Sequence, residues 1–183
     1  MSTEAYARQK MMKQIEDIIF GKTAKLQFEA AEGRIFEIMG SRKMLYDLEN
    51  HFDLDKSLEE MHEAKLSCDL VINILERTKA ELTQNLRRTK ETLKEERLNL
   101  AIVFENSFKK QEHAFTTKEL EKRMEKHILA HLKDKEEEHL DLLDMLDIVG
   151  FETNKFNKIR ENVDDVYMSI KKKYDLLIKR NVT

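Results

Sequence analysis

The chain contains no proline in 183 residues. At an average usage near ~5%, roughly nine would be expected. Proline interrupts helices by removing a backbone donor and clashing with the preceding turn. Sheet-rich folds need glycine and proline at their turns, and this chain has four glycines and no proline. Charged residues make up 38% of it, against ~25% in a typical soluble domain. The sequence therefore predicts an all-α fold of long, charged helices. It excludes a collagen-like chain, a disulfide scaffold and a proline-rich linker.

Without proline, helix ends must be found from capping residues, glycines and lapses of apolar period. The first break is Asn50-His51-Phe52-Asp53, after a helical stretch of about 5–49. Ser57 with Glu60 has the spacing of a capping box, and Asp53 or Asp55 could cap equally well. The second break is sharper. Thr116 with Glu119 makes a capping box, and Phe115 with Leu120 makes the matching hydrophobic staple. Gly150 is the third candidate, either a helix C′ residue or a glycine tolerated inside a continuing helix. These breaks predict helices at about 5–49, 54–114, 117–149 and 152–181.

Between the breaks the apolar residues repeat every seven. In the second segment one row reads Leu58, Lys65, Ile72, Lys79, Leu86, Leu93, Leu100 and Ser107. The other reads Met61, Cys68, Leu75, Leu82, Thr89, Glu96 and Val103. Such a repeat, sustained beyond three or four heptads, is the signature of a coiled coil. In the third segment Ile128, Leu132, Leu142, Leu146 and Val149 form a seam interrupted by Lys135 and His139. The last segment is the most regular, with Phe156, Ile159, Val163, Val166, Ile170, Tyr174 and Leu177 on one stripe. The first is weaker: Met12, Ile15, Ile19 and Leu26 begin a seam that Gly21, Gly33 and Gly40 interrupt.

A helix over 54–114 would be about 90 Å long at ~1.5 Å per residue. That length, with short connections near 50–53 and 115–117, predicts a single elongated antiparallel bundle of three to four helices spanning 1–183. Lys65, Lys79, Thr89 and Glu96 occupy positions where apolar residues would stabilise, which lowers stability and narrows the allowed registers. Methionines such as Met11, Met12, Met44, Met61 and Met145 fill irregular gaps. A partner helix completes such a chain. The surface offered to it is the stripe Phe156, Ile159, Val163, Val166, Ile170, Tyr174 and Leu177, together with Leu86 and Leu93; either the helix at 54–114 or a partner chain must cover the stripe.

The net charge is −3, so no global basic surplus exists to neutralise a phosphate backbone, and nucleic acid is a disfavoured partner. Residues 117–149 carry 6 bases and 10 acids, and residues 150–183 carry 8 and 5. Lys171, Lys172 and Lys173 with Lys179 and Arg180 form a basic C-terminal end. That end suits an acidic surface or nucleic acid, and it also suits the negative pole of a helix C-terminus. The single Cys68 fits a reducing compartment. The longest apolar run is Leu100 to Phe104, where a membrane span needs ~20 residues. No signal peptide or lipidation motif is visible. A cytoplasmic location is the expectation.

The search for chemistry finds little. Glu59-x-x-His62 and Glu136-x-x-His139 have the spacing of di-metal carboxylate bundles, with Glu29, Glu32 or Glu161 to complete a set. Glu136 sits inside Lys135-Glu136-Glu137-Glu138, which reads as a solvated face. His127 and His131 are one turn apart on a helix, a metal-compatible spacing without a completing ligand nearby. His51 and His113 are isolated, and Cys68 reads as a small buried seam residue. There is no phosphate-binding glycine loop and no nucleophile elbow. No catalytic residue, metal, cofactor or small-molecule substrate is expected.

Four segments carry a resemblance. They are Gln14-Ile15-Glu16-Asp17-Ile18-Ile19-Phe20-Gly21, Met44-Leu45-Tyr46-Asp47-Leu48-Glu49, Phe52-Asp53-Leu54-Asp55 and Tyr174-Asp175-Leu176-Leu177. They resemble the small coiled-coil subunit of the shoulder of dynactin, the cofactor of the microtubule motor dynein. The matching pieces cover about a fifth of the chain, which departs from that family in having no proline in its connections. The resemblance implies a non-catalytic subunit bundled with other helical chains in a motor adaptor. Read from the residues alone, the expectation is a structural subunit of a cytoplasmic assembly. A binding module using the basic C-terminal helix and a metal-binding helical bundle are the alternatives.

Overall fold

The computed structural model describes residues 21–40, 51–108 and 116–182, with side chains over 24–40, 53–107 and 116–179. Three helices account for its secondary structure: α1, Gly21–Gly40; α2, His51–Phe108; and α3, Thr117–Val182. Among the described residues there is no strand, as the composition predicts. The Met12–Ile19 seam, Met11, Met44 and Phe115 lie outside the described residues, as do most of residues 14–21 and all of 44–49.

The helices expected over 117–149 and 152–181 are one. α3 runs through Gly150 without a break. A Cβ placed there would meet nothing within 4 Å. Gly150 therefore neither caps a helix nor allows a close approach. A mid-helix glycine costs ~1 kcal/mol relative to alanine. The buried side chains of Val149 and Phe156 on either side of it each recover more than that, at about 1.5–3 kcal/mol for a large apolar group.

The start of α3 is where the sequence places it. The Thr116 backbone N–H and its hydroxyl both donate to Glu119 Oε2, at 3.0 and 2.8 Å. The Thr116 carbonyl accepts from the N–H groups of Glu119 and Leu120. These bonds hold the Glu119 carboxyl below its usual range, first through the side-chain and then through the backbone donor. Ser57, by contrast, caps nothing. It lies inside α2, buried, and its hydroxyl donates to the Asp53 carbonyl at 2.7 Å. A serine one turn into a helix satisfies itself on the i−4 carbonyl, so Ser57 and Glu60 are ordinary helical neighbours.

Packing resolves the chain into two compact units, residues 1–79 with 148–183, and residues 80–147. In the first unit α2 and α3 run antiparallel, because Lys65 meets Asp164 and Asp69 meets Arg160. α1 joins them through Arg34 to Glu63 on α2 and through Phe28 to Phe156 on α3. Its buried row is Phe28, Ala31, Ile35 and Ile38, and Leu26, expected in the seam, is 66% exposed. On α3 the core is Val149, Thr153, Phe156, Val163, Val166 and Ile170.

On α2 the row Met61, Cys68, Leu75 and Leu82 is buried as expected, and it extends back to Leu54. The second row is one residue earlier than the period predicts. Ser57, Ala64, Val71 and Thr78 are buried, while Leu58 and Lys65 are half-buried and Lys79 is exposed. Small side chains occupy this row because α2 has a neighbour on each side in the first unit. Ile72 is buried beside Val71 for the same reason. In the second unit the predicted row returns, with Leu86, Leu93 and Leu100 half-buried and Ser107 exposed. The change of phase falls at Thr78, Leu82 and Leu86, two steps of four in succession. Such a stutter relaxes the ~20° per heptad by which a straight helix drifts from a seven-residue repeat.

In the second unit α2 and α3 are again antiparallel. Glu96 meets Lys135, and Phe104 meets His127 and His131. Ile128 and Leu132 are the buried apolar residues of α3 there. Leu142 and Leu146 are half-buried.

Candidate interaction surfaces

The stripe offered as a partner surface is largely covered within the chain and supplies its core. Phe156, Val163, Val166 and Ile170 are buried in the first unit. Ile159, Tyr174 and Leu177 are half-buried at its margin, and so are Leu86 and Leu93 in the second unit. The physical reason is that α1 and α2 together supply enough apolar surface to cover α3. The Phe28 ring meets the Phe156 ring edge-on at 5.9 Å, an arrangement worth ~0.5–1.5 kcal/mol beyond area burial.

Around that core, ion pairs fix the register. Lys65 Nζ lies 2.7 Å from Asp164 Oδ1. Arg160 Nε lies 2.6 Å from Asp69 Oδ1, an ion pair by distance in which the buried Nε–H is not aimed to form a hydrogen bond. Arg34 grips Glu63 with two donors, Nε at 3.0 Å and Nη2 at 2.8 Å, and reaches Glu37 with Nη1 at 2.8 Å. The two-pronged contact lowers the Glu63 carboxyl from its usual range and raises the Arg34 guanidinium. Lys155 bonds Glu152 at 2.9 Å, approaches Glu32 at 3.8 Å, and lies 5.1 Å from the Phe156 ring centroid. These pairs are partly exposed, so solvent screens them and each adds little to stability. Their effect is to specify which residues face one another.

The polar residues of the seam follow the same logic. Lys65, read from the sequence as a seam interruption, is paired with Asp164. Glu96 on α2 and Lys135 on α3, each an interruption of its own row, are partners. His139, one turn from Lys135, has its Nδ1 buried with no hydrogen-bond partner among the described residues.

The histidines and carboxylates that suggest a metal are not assembled. Glu59 and His62 belong to the first unit, and Glu136 and His139 to the second. Among the described residues no three His, Cys, Asp or Glu side chains are grouped to hold an ion. His127 stacks on Phe104 at 5.4 Å, and His131 meets the same ring edge-on at 6.0 Å. The His131 Nδ1 lies 3.0 Å from the His127 carbonyl oxygen, so that nitrogen carries the proton. The pair packs against an aromatic ring. His113 and the side chain of His51 lie outside the described residues. Cys68 is buried and free, and loss of hydration pushes its thiol up to about 11. Lys171 and Lys172 are exposed, as a solvated C-terminal face predicts.

What sequence reasoning missed is the apolar surface outside the seams. Leu66 and Leu70 lie exposed on α2 of the first unit, and Leu98 and Ile102 on α2 of the second. Leu129, Leu140 and Leu143 lie exposed on α3. The signal was present: these leucines sit at three- and four-residue spacings displaced from the seam. Among the described residues no helix is long and apolar enough to cross a membrane. Comparison with protein-family models, with curated protein sequences and with solved structures finds no match to this chain.

Proposed function

We propose that this chain is a non-catalytic, coiled-coil structural subunit of a larger cytoplasmic assembly, of the kind that a dynein–dynactin motor adaptor contains. The observation that carries the reading is the set of exposed leucines on helices whose own seams are already filled, with Leu66 and Leu98 each more than half exposed. A helix that has satisfied its core and still shows apolar side chains at helical spacing offers a second face to another helix. The proposed partners are other helical protein subunits, and the proposed architecture is an elongated antiparallel coiled coil. No catalytic residue, cofactor or small-molecule substrate has a place in it.

The reading is tested by expressing the tagged chain at native level in its own cell and resolving the extract by gradient sedimentation. The expected result is a particle much heavier than 21.8 kDa that contains other helical subunits in fixed ratio, dynactin shoulder subunits among them. Sedimentation of the chain at its own mass refutes the subunit reading. A heavy, fixed-ratio particle without dynactin components refutes the motor-adaptor part alone.

A further inference from the structure

The second unit presents a basic row and an apolar row on one side of its helix pair. On α2, the seam residues Leu86, Thr89, Leu93 and Glu96 are each followed by a base: Arg87, Lys90, Lys94 and Arg97. All four bases are exposed. On α3, the residues that follow the seam positions Ile128, Leu132, Lys135, His139, Leu142 and Leu146 are Leu129, Lys133, Glu136, Leu140, Leu143 and Asp147. Leu129 is 43% exposed, Leu140 58% and Leu143 37%. In an antiparallel pair of helices, positions displaced alike from the seam fall on the same side. The bases of α2, the leucines of α3 and Lys133 therefore share one surface.

The rows are level with one another. Glu96 meets Lys135 and Phe104 meets His127, so Leu140 and Leu143 stand across from residues near 91 and 88, between Arg87 and Lys94. Among the described residues Lys90, Lys94 and Arg97 make no ion pair, and Arg87 and Lys133 pair only along their own helices, with Glu91 and Glu137. From residue 83 to 105 on α2 and from 129 to 147 on α3, this side holds five bases and three acids, and two of those acids, Glu105 and Asp147, stand at its ends. The opposite side, whose residues precede the seam, is acidic, with Glu81, Glu95, Asp134, Glu138 and Asp141 against Arg88. The seam between the two sides is incompletely covered. Leu86, Leu93, Leu142 and Leu146 are half-buried, whereas Met61, Cys68 and Leu75 in the three-helix first unit are fully buried.

We infer that the basic side of the second unit binds an acidic amphipathic helix of a partner protein. The apolar stripe of that helix covers Leu140 and Leu143 and finishes the burial of the seam, as α1 does in the first unit. Its acidic flank meets Arg87, Lys90, Lys94 and Arg97, which follow one another at the three- and four-residue spacing of a helix face. The aliphatic stems of these bases add to the apolar contact. A second copy is the poorer occupant, because two-fold pairing of this side sets Lys133 against Arg97. A nucleic acid is poorer still. It leaves the leucines in water, and residues 80–147 carry 13 bases against 16 acids and repel it as a whole. The inference deepens the subunit reading above by naming the chemistry of the partner.

The test is fluorescence anisotropy of labelled probes titrated with the full chain, in low and high salt. The probe is a synthetic helix with leucine along one stripe and glutamate on its flanks. The comparison probes are the same helix with lysine for glutamate, polyglutamate, which has the charge without the stripe, and duplex DNA. The leucine–glutamate helix is expected to bind at micromolar concentration, more weakly as salt rises, and about tenfold or more tighter than each comparison probe. Arg87→Glu with Lys94→Glu should weaken it by about tenfold or more, on the order expected for juxtaposed like charges. Arg88→Glu, a reversal on the opposite side, should change it little, and Leu140→Asn should weaken it at every salt concentration. Circular dichroism checks that each variant remains helical; all these positions are exposed. Equal binding of any comparison probe, indifference to the double reversal, or self-association of the native chain through Arg87 and Lys94 would each overturn the inference. The gradient assay above keeps the two readings apart. A heavy particle that retains the doubly reversed chain undiminished overturns this surface alone, and a chain that sediments at its own mass yet binds the acidic helix overturns the subunit reading alone.

Discussion

Replacing Gly150 by alanine separates two physical accounts of the middle of α3. If the helix is continuous, the substitution adds a methyl group that meets nothing within 4 Å, so there is no steric cost. It removes the excess backbone freedom of glycine in the unfolded chain, which is worth ~0.8–1.0 kcal/mol in a helix interior. Gly150 is half-buried, so burial of the new methyl adds a few tenths at most. Gly150→Ala should therefore stabilise the chain by about 1 kcal/mol. For a protein of this size that raises Tm by roughly 2–4 °C. The assay is thermal unfolding followed by far-ultraviolet circular dichroism, with Gly33→Ala in α1 as a companion, since a Cβ there is equally unobstructed. If residue 150 were a left-handed C′ cap instead, the alanine would cost ~1–2 kcal/mol. A fall in Tm for Gly150→Ala alone would refute the continuous helix.

Val166 is 1% exposed, so Val166→Asp buries an unpaired carboxylate and should cost ~3–5 kcal/mol, whereas Lys172→Asp on the exposed face should stay within ~0.5 kcal/mol; denaturant melts of the two read the difference directly. Glu119 has its pKa lowered by Thr116, so its contribution is present above the ordinary carboxyl range near ~4.3 and lost as pH falls through its lower folded value. Glu119→Gln should accordingly flatten the acid limb of a stability profile between neutral and acid pH, and an unchanged limb would show that the cap contributes nothing. Cys68 has its thiol pushed up from 9.0 to about 11. It should resist alkylation at pH 8 until denaturant is added, and its stabilising effect, complete below pH 9, should fade as pH rises toward 11. Rapid alkylation of the native chain would contradict its burial.

How far the sequence can be read depends on how local the determining physics is. The start of α3 was legible because Thr116 and Glu119 are three residues apart and satisfy each other. The seven-residue period of α2 was legible for the same kind of reason, since one helix face must stay apolar whatever covers it. The phase of that period was not. Ser57, Ala64 and Thr78 are buried because two helices flank α2 in the first unit, and no feature of α2 announces a second neighbour. The partnership of Glu96 with Lys135 was equally hidden. Each residue looks like a defect in its own helix and becomes a register lock only when the other arrives. Gly150 illustrates ambiguity of another sort, because glycine is compatible with both a cap and a continuing helix, and tertiary packing of Val149 and Phe156 decides. The C-terminal stripe was legible as a surface that something covers, but the choice between the 54–114 helix and a partner chain was not. Periodicity shows that a face is covered and does not show by what.

The first unit is closed by residues far apart in the chain: Lys65 and its partner Asp164 are separated by 99 positions. A ribosome adding ~5–20 residues per second exposes the α2 half of that core roughly 5–20 s before the α3 half exists. Through that interval Met61, Cys68 and Leu75 have only α1 to shelter them, while the whole second unit is made in between. Throughout that interval the nascent chain is a sticky, incomplete core, which gives a holding chaperone or an already folded partner chain its opportunity to bind during translation.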